Sequence, residues 1–300
     1  MSRTVAAPAP ATAPDPASTP APARTAARRS EVLRPGALLT SAIMLPLALI
    51  VGLPFYYIVV NTFKTQAETA AAPLALPTVW RLDTYTRVLE SVPIVQAFGN
   101  TLLITAVSIV LMLLIGSLAA FSVILRRSRF VTIVFVIAFL VPGQVTLIPL
   151  YRLFAQLGLV DSLWGLILMY TAGSVFCYFL IVGYMRTIPG EMIEAAKLDG
   201  ASPFQIYWRI ALPLIRPILI TVGVFQTMWV WNDFLTPVVF LSSPQNQTLV
   251  LQVYKAVGEF SVDWPAFLAL SVLALIPMVI FFVAMQRHIV NGLLAGSVKG

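Results

Sequence analysis

The sequence has 300 residues, of which 59% are apolar and only 10% are charged, and its mean hydropathy is +0.90. Soluble chains are usually about half apolar and about one quarter charged, so the composition excludes most soluble classes and predicts a polytopic helical membrane protein. A single cysteine, Cys177, excludes a disulfide framework, and a single histidine, His288, excludes a cluster of Cys and His metal ligands. The net charge is +7, and the charged residues lie between long apolar stretches. We therefore expect the chain to have a lipid bilayer, and no nucleic acid, as its partner.

The beginning of the chain differs in composition from the rest. Between residues 6 and 23, 14 of 18 positions are alanine or proline. A segment of this kind has no apolar periodicity with which to form a packed core. We therefore expect residues 1–36 to be a disordered cytoplasmic tail and residues 37–300 to form the membrane domain.

Six apolar stretches are long enough to cross a hydrocarbon core, which requires about 20 helical residues. They are Ala37–Val60, Thr101–Leu125, Phe130–Leu150, Leu163–Met185, Ile215–Leu241 and Ala266–Met285. The first is longer than the apolar core of a signal peptide, about 7–15 residues, so we expect it to be retained. The predicted fold class is all-α, with six transmembrane helices, and Pro142-Gly143-Gln144 predicts a kink within the third.

The distribution of Lys and Arg predicts the orientation of these helices. If the N-terminus is cytoplasmic, 14 of the 19 basic residues lie on the inside and 5 on the outside. The short Arg126-Arg127-Ser128-Arg129 connection is the firmest single marker. Because cytoplasmic loops carry the excess of positive charge, we expect both termini to be cytoplasmic.

No catalytic or nucleotide-binding motif is present in the sequence. The pattern G-x-x-x-x-G-K-[ST] is absent, as are H-E-x-x-H, C-x-x-C and G-x-S-x-G. We therefore expect no cofactor, no metal ion and no catalytic residue on this chain.

About 30 residues separate the fourth and fifth stretches, and their local pattern predicts a helix, a tight turn and a second helix. Gly200 stands where a chain leaves a helix in a left-handed conformation. Ser202 and Pro203 form an N-cap followed by a first-turn proline. Pro213 and Pro217 are expected to end the second helix. On local chemistry alone this is a helix pair at the cytoplasmic membrane surface.

The same segment resembles the EAA loop of bacterial ABC-importer permeases. In that family E-A-A is followed by three residues, G, nine residues, I, one residue and L-P. The matching residues are Glu194, Ala195, Ala196, Asp199, Gly200, Ala201, Ile210, Leu212 and Pro213. The resemblance implies a coupling loop that contacts a separate ATPase.

Three further segments resemble the permeases of maltose-type carbohydrate importers. They are Phe98–Thr101 at the start of the second span, Trp231–Pro237 in the fifth, and Gln286–Gly300 at the C-terminus. They place the core permease region at about residues 98–290.

The resemblance also implies the function and the partners of the chain. A second, related permease subunit would form the other half of the pathway, and a cytoplasmic ABC ATPase dimer would hold ATP and Mg. An extracytoplasmic solute-binding protein would deliver the substrate, a sugar or oligosaccharide. The implied location is the inner membrane of a bacterial or archaeal cell.

Polar residues in the fifth span are candidates for the substrate pathway. Gln226, Trp229 and Asp233 recur at i, i+3 and i+7, which predicts that they share one helix face, and Asn232 lies beside them. Aromatic, amide and carboxylate groups together can recognise a sugar. In the alternative interpretation, Trp229, Trp231 and Asn232 pack and hydrogen-bond between helices and Asp233 lies near the outer interface, and the sequence leaves both interpretations open.

Two other classes of membrane protein compete with this interpretation. An ion-coupled secondary transporter usually has buried ionisable groups near the midplane, and the predicted spans contain one carboxylate, Asp233. A membrane-bound enzyme would need a nucleophile with a base, or a set of metal ligands.

Overall fold

The computed structural model describes residues 35–126, 128–259 and 263–297, and in these ranges the chain is helical without a β-strand. Most of the predicted tail, residues 1–34, lies outside the described residues, as do residues 298–300 of the C-terminal resemblance. The helices of the first half are α1 Pro35–Asn61, α2 Gln66–Ala71, α3 Asp83–Ser91, α4 Ile94–Arg126, α5 Arg129–Leu140 and α6 Gly143–Gln156. Those of the second half are α7 Leu163–Tyr170, α8 Ser174–Met185, α9 Gly190–Leu198, α10 Pro203–Ile206, α11 Leu212–Leu214, α12 Arg216–Asn232, α13 Leu235–Phe240, α14 Leu249–Glu259 and α15 Trp264–Ser297.

The chain divides into two compact units, and the division falls within α1, after Pro54. The described part of the first unit is the beginning of α1, an apolar helical segment that contains Pro46 and Pro54. The second unit, from Phe55 onward, contains all the other helices.

Four helical segments of the described chain are long and apolar enough to cross a membrane: Thr40–Asn61, Ile94–Arg126, Leu163–Met185 and Trp264–His288. They correspond to the predicted first, second, fourth and sixth spans. The fourth contains α7 and α8, which a 3-10 turn at Thr171–Gly173 joins. The number of spans rises to six if two bent helix pairs are each counted as one span.

Two of the predicted spans, the third and the fifth, are not single straight helices in the structure. In the third stretch, α5 and α6 meet at 96°, so the kink predicted at Pro142 is a full change of direction. Pro142 has an extended backbone, and α6 begins after it because proline has no N–H to continue the hydrogen-bond ladder of α5. In the fifth, α12 ends at Asn232 and the chain is not helical again until Leu235, so Ile215–Leu241 is wrong as one helix.

The core forms where α4 packs against α8. Gly116 of α4 allows this contact, because an added Cβ would lie 2.7 Å from Cβ of Cys177 and 3.0 Å from the backbone nitrogen of Tyr178. Cys177 and Tyr178 are completely buried. Small residues let two membrane helices approach until their backbones are in van der Waals contact. The helices that carry the candidate site pack around this pair.

Polar anchors hold the connections at the end of the bundle that we expect to face outward. Nδ2 of Asn100 donates to the carbonyl oxygens of Gln245 and Gln247, at 2.8 and 3.0 Å. The carboxylate of Asp161 accepts hydrogen bonds from the backbone N–H groups of Ser242 and Ser243 and from the Ser243 hydroxyl. Partial burial raises the pKa of Asp161, but these hydrogen bonds outweigh it and lower the pKa to about 2.

The contact at Gly116 can be tested by adding one methyl group. We expect Gly116→Ala to lower the melting temperature of the purified protein by several degrees, because overpacking a close helix contact costs about 1–3 kcal/mol. Gly183→Ala is the matched control, since nothing lies within 4 Å of a Cβ at Gly183 on α8. Thermal unfolding in detergent, followed by size-exclusion chromatography, measures both variants. Equal melting temperatures for Gly116→Ala and wild type would contradict the close contact.

Candidate functional site

The segment that carries the EAA resemblance is a helix pair joined by a Schellman turn. Gly200 has a φ of +78°, in the left-handed region that glycine favours. Its N–H donates to the Lys197 carbonyl at 3.1 Å, and the N–H of Ala201 donates to the Ala196 carbonyl at 3.0 Å. These two bonds satisfy carbonyls at the end of α9. The turn predicted at Gly200 is confirmed.

The second helix begins with the predicted N-cap. The Ser202 hydroxyl accepts from the Gln205 N–H, the Gln205 side chain accepts from the Ser202 N–H, and Pro203 occupies the first turn. The helix continues through a π-helical turn at Tyr207–Ala211 and ends at Leu214. Pro213 therefore lies in the last turn, while Pro217 belongs to the first turn of α12. The axis bends by 74° between Leu214 and Arg216.

One face of the helix pair is fixed to the bundle. Ile193 and Ala196 of α9, and Ile206 and Ala211 of the second helix, are buried in the main core. The hydroxyl oxygens of Tyr207 and Ser117 on α4 lie 2.7 Å apart. The ring of Tyr207 also packs on Phe121 of α4, with centroids 5.4 Å apart. A displacement of the pair would therefore be passed directly to α4.

The opposite face is exposed and mixes apolar and acidic side chains. Four large apolar residues are exposed on it: Met192, Leu198, Phe204 and Trp208. Leu198 is 89% exposed and Phe204 is 70% exposed. Among the predicted coupling residues, Glu194, Ala195, Asp199, Gly200 and Pro213 are exposed, Ala201, Ile210 and Leu212 are half-buried, and Ala196 is buried. Some residues of the motif thus pack against the bundle, and the others remain accessible to a partner.

The candidate pathway residues of the fifth stretch do not share one helix face. The helix ends at Asn232, and Asp233 has an extended backbone with φ −68° and ψ 127°. Its Oδ1 accepts from the N–H groups of Leu235 and Thr236, at 3.0 and 3.4 Å, and so caps the beginning of α13. The prediction of a common face is wrong for Asp233, because its carboxylate satisfies amides that the break in the helix leaves free.

Tyr170 of α7 nevertheless brings two of these residues together. Its hydroxyl donates to Oδ2 of Asp233 at 2.9 Å, and its ring meets the ring of Trp229 edge-on, with centroids 5.6 Å apart. Trp229 is 51% exposed, so one side of the indole remains available. The sequence analysis missed Tyr170, since a tyrosine inside an apolar stretch carries no signal of its partner.

Gln226 and Asn232 bond to backbone groups. Nε2 of Gln226 is buried and donates to the Gly173 carbonyl at 3.2 Å, which ties α12 to the 3-10 turn between α7 and α8. Nδ2 of Asn232 donates to the Met228 carbonyl of its own helix at 2.7 Å. The buried amide of Gln226 thus links two helical segments. Trp229 alone combines an exposed aromatic face with a nearby carboxylate.

Two segments that carry the resemblance to carbohydrate permeases touch each other. The ring of Phe98, at the start of α4, packs on the ring of Trp231, with centroids 5.8 Å apart. Beside Phe98, Thr101 Oγ1 accepts from the N–H of Leu249, the first residue of α14. These segments thus hold the ends of α4, α12 and α14 together.

Comparisons with known proteins identify the family of the chain. Residues 112–294 match the family described as "Binding-protein-dependent transport system inner membrane component". The chain is 36% identical, over 82% of its length and 91% of the relative's, to the probable starch degradation products transport system permease protein AmyC of Thermoanaerobacterium thermosulfurigenes. It is 30% identical, over 83% of its length and 91% of the relative's, to the melibiose/raffinose/stachyose import permease protein MelC of Bacillus subtilis.

A solved structure has the same fold. It is a bacterial ABC transporter involved in the import of the acidic polysaccharide alginate, with a TM-score of 0.73 at 22% identity. The alignment covers 84% of this chain and 95% of that one. Because the family match extends over more than half of its residues and it is 36% identical to AmyC over 82% of its length, the chain belongs to the inner membrane components of binding-protein-dependent transport systems.

Proposed function

We propose that this permease subunit and a second, related permease form the pathway of an ATP-driven importer for a sugar or oligosaccharide. A cytoplasmic ABC ATPase dimer would hold ATP and Mg, and an extracytoplasmic binding protein would deliver the sugar. The names of the relatives support a carbohydrate substrate, since they refer to starch products and to melibiose, raffinose and stachyose. The location would be a bacterial or archaeal inner membrane.

The observation that carries the proposal is the two-sided helix pair of residues 190–214. Its inner face is part of the core, and its outer face exposes Met192, Leu198, Phe204 and Trp208 beside Glu194. An amphipathic helix that presents apolar residues in this way is suited to a groove on a partner. Closure of the ATPase dimer would push on this face, and the contact of Tyr207 with Ser117 and Phe121 would pass the movement to α4.

Ion-coupled transport is less well supported than ATP-driven import. A coupling carboxylate has to exchange its protein partners for an ion during each cycle. Both oxygens of Asp233 are occupied, one by Tyr170 and the other by the amides that begin α13. This carboxylate is accounted for as a structural cap.

The coupling contact is tested by two substitutions on the helix pair. Glu194→Lys should weaken ATPase association at least tenfold, because losing one member of a desolvated ion pair costs about 2–5 kcal/mol. Gly200→Val should have a similar effect, since a β-branched residue is disfavoured at the positive φ of the turn. Permease abundance should be nearly unchanged for both variants. Pull-down of the ATPase and sugar uptake in the same cells measure the effect.

Gly200→Asn is the matched control, because asparagine tolerates the left-handed region and nothing lies within 4 Å of a Cβ at this position. It should bind the ATPase and transport almost as wild type does. Normal transport by Glu194→Lys with the ATPase still bound would remove Glu194 from the contact. Normal behaviour of Gly200→Val as well would exclude the helix pair as the coupling element.

The substrate pathway is tested at Trp229. We propose that the exposed indole face stacks on the sugar, with Tyr170 holding the ring in place. Trp229→Ala should reduce the uptake rate at least tenfold without lowering abundance, since a lost sugar–aromatic contact and lost orientation act together. Trp164→Ala is the control, because Trp164 of α7 is also exposed, at 63%, but lies outside this cluster. Equal uptake by the two variants would exclude Trp229 from the pathway. The sugar used is the one that most stabilises the associated binding protein in a thermal-shift screen.

The orientation is tested by labelling introduced cysteines in intact cells. With both termini in the cytoplasm, the connection at Ser128 faces inward and α2 faces outward. A membrane-impermeant thiol reagent should label Ala70→Cys and not Ser128→Cys. The native Cys177 is completely buried and gives little background. The reverse labelling pattern would refute the proposed topology.

A further inference from the structure

A cavity of about 530 Å³ opens at the connection between α4 and α5, and none of its lining residues belongs to the coupling helix pair or to the Trp229 cluster. One part of its lining is polar and basic: Ser128, Arg129, Thr132 and Arg186. The other part is apolar: Val123, Ile124 and Ile133. The cavity thus has two chemically different halves.

The two arginines of this cavity have no acidic partner among the described residues. The ion pair found among the described residues is Arg87–Asp263, and neither of these two residues lines the cavity. The sequence contains no Asp or Glu between Glu90 and Asp161, so the helices on either side of Arg129 supply no carboxylate. Guanidinium groups bind phosphate oxygens through paired N–H donors, so two unpaired ones at one cavity favour a phosphate.

Two hydroxyl groups line the cavity, and one of them has a proton that is free to donate a hydrogen bond to a ligand. The Thr132 hydroxyl donates to the Ser128 carbonyl and accepts from the Tyr178 hydroxyl, at 3.4 and 3.1 Å. The Ser128 hydroxyl oxygen accepts from the Val131 N–H, and its own proton has no acceptor among the described residues. Ser128 can therefore donate to an anion that the arginines hold.

The apolar half of the cavity continues as an exposed stripe along α5. Phe130, Ile133, Val134 and Ile137 recur at helical spacing and are 75%, 54%, 44% and 58% exposed. In a membrane helix such a stripe faces acyl chains. A soluble phosphate would use the basic half alone, whereas a phospholipid would use the arginines with its headgroup and the stripe with its chains.

We propose that this cavity binds the phosphate of an anionic phospholipid between Arg129 and Arg186, with an acyl chain along Ile133 and Ile137. Basic pockets between helices at the cytoplasmic side of a membrane are suited to such headgroups. The bound lipid would neutralise the two arginines and fix the start of α5 against the end of α8. This goes beyond the transport function and holds whichever substrate the importer carries.

The test is a lipid titration of the delipidated, assembled importer in detergent. Both phosphatidylglycerol and phosphatidylcholine are titrated while the melting temperature is measured. The concentration that gives half of the maximal rise should be at least tenfold lower for phosphatidylglycerol than for phosphatidylcholine. Native mass spectrometry should show one retained phosphatidylglycerol that Arg129→Gln or Arg186→Gln removes. Arg126→Gln is the matched control, since it makes the same charge change at the same connection and Arg126 does not line the cavity. It should retain the lipid.

Three results would overturn the proposal. Equal potency of the two lipids would show that no anion site exists, and this result needs no variant to fold. Loss of the lipid in Arg126→Gln to the same degree would indicate general charge attraction. An equal shift from soluble glycerol 3-phosphate would show that the cavity binds a phosphate and not a lipid.

Discussion

The close contact of α4 with α8 forms the centre of the core, and the helices that carry the candidate site pack around it. Gly116 removes the side chain that would keep the two backbones apart, and Cys177 and Tyr178 fill the space against it. The same helix then contacts each functional element in turn: Thr101 holds the beginning of α14, Met112 lies against Gln226 of α12, and Ser117 and Phe121 hold Tyr207. One helix thereby contacts the predicted outer connections, α12 and the helix pair of residues 190–214.

Two interruptions of helices, at Asp233 and at Gly200, are compensated locally by hydrogen bonds. Inside a bilayer, free backbone amides and carbonyls need partners within the protein. At the end of α12 the carboxylate of Asp233 takes up the free amides of Leu235 and Thr236. At the end of α9 the Schellman bonds around Gly200 take up free carbonyls. The polar residues of this chain therefore serve first to permit irregular backbone at chosen points.

The exposed surface of the chain has regions of different chemistry, and each suits a different neighbour. The outer face of the helix pair combines apolar side chains with acidic ones, which suits a protein groove. The exposed apolar stripe of α5, which follows Arg129 along the helix, is suited to contact with lipid acyl chains. Trp229 presents an aromatic face next to a fixed tyrosine, which suits a sugar ring.

The amino-acid pattern alone was enough to predict the fold class, four of the spans, the helix–turn–helix between the fourth and fifth stretches and the family. The length of each apolar stretch, the left-handed glycine at position 200 and the cap at Ser202 depend only on residues that are close together in the sequence. They could therefore be predicted from it. Tertiary structure decided the 96° turn at Pro142, the break at Asp233 and the contacts of Tyr170 and Tyr207. Those features depend on which side chain satisfies a given backbone group or hydroxyl. The partners come from helices distant in sequence, as with Tyr170 and Asp233, so no pattern within either segment could have specified the pair.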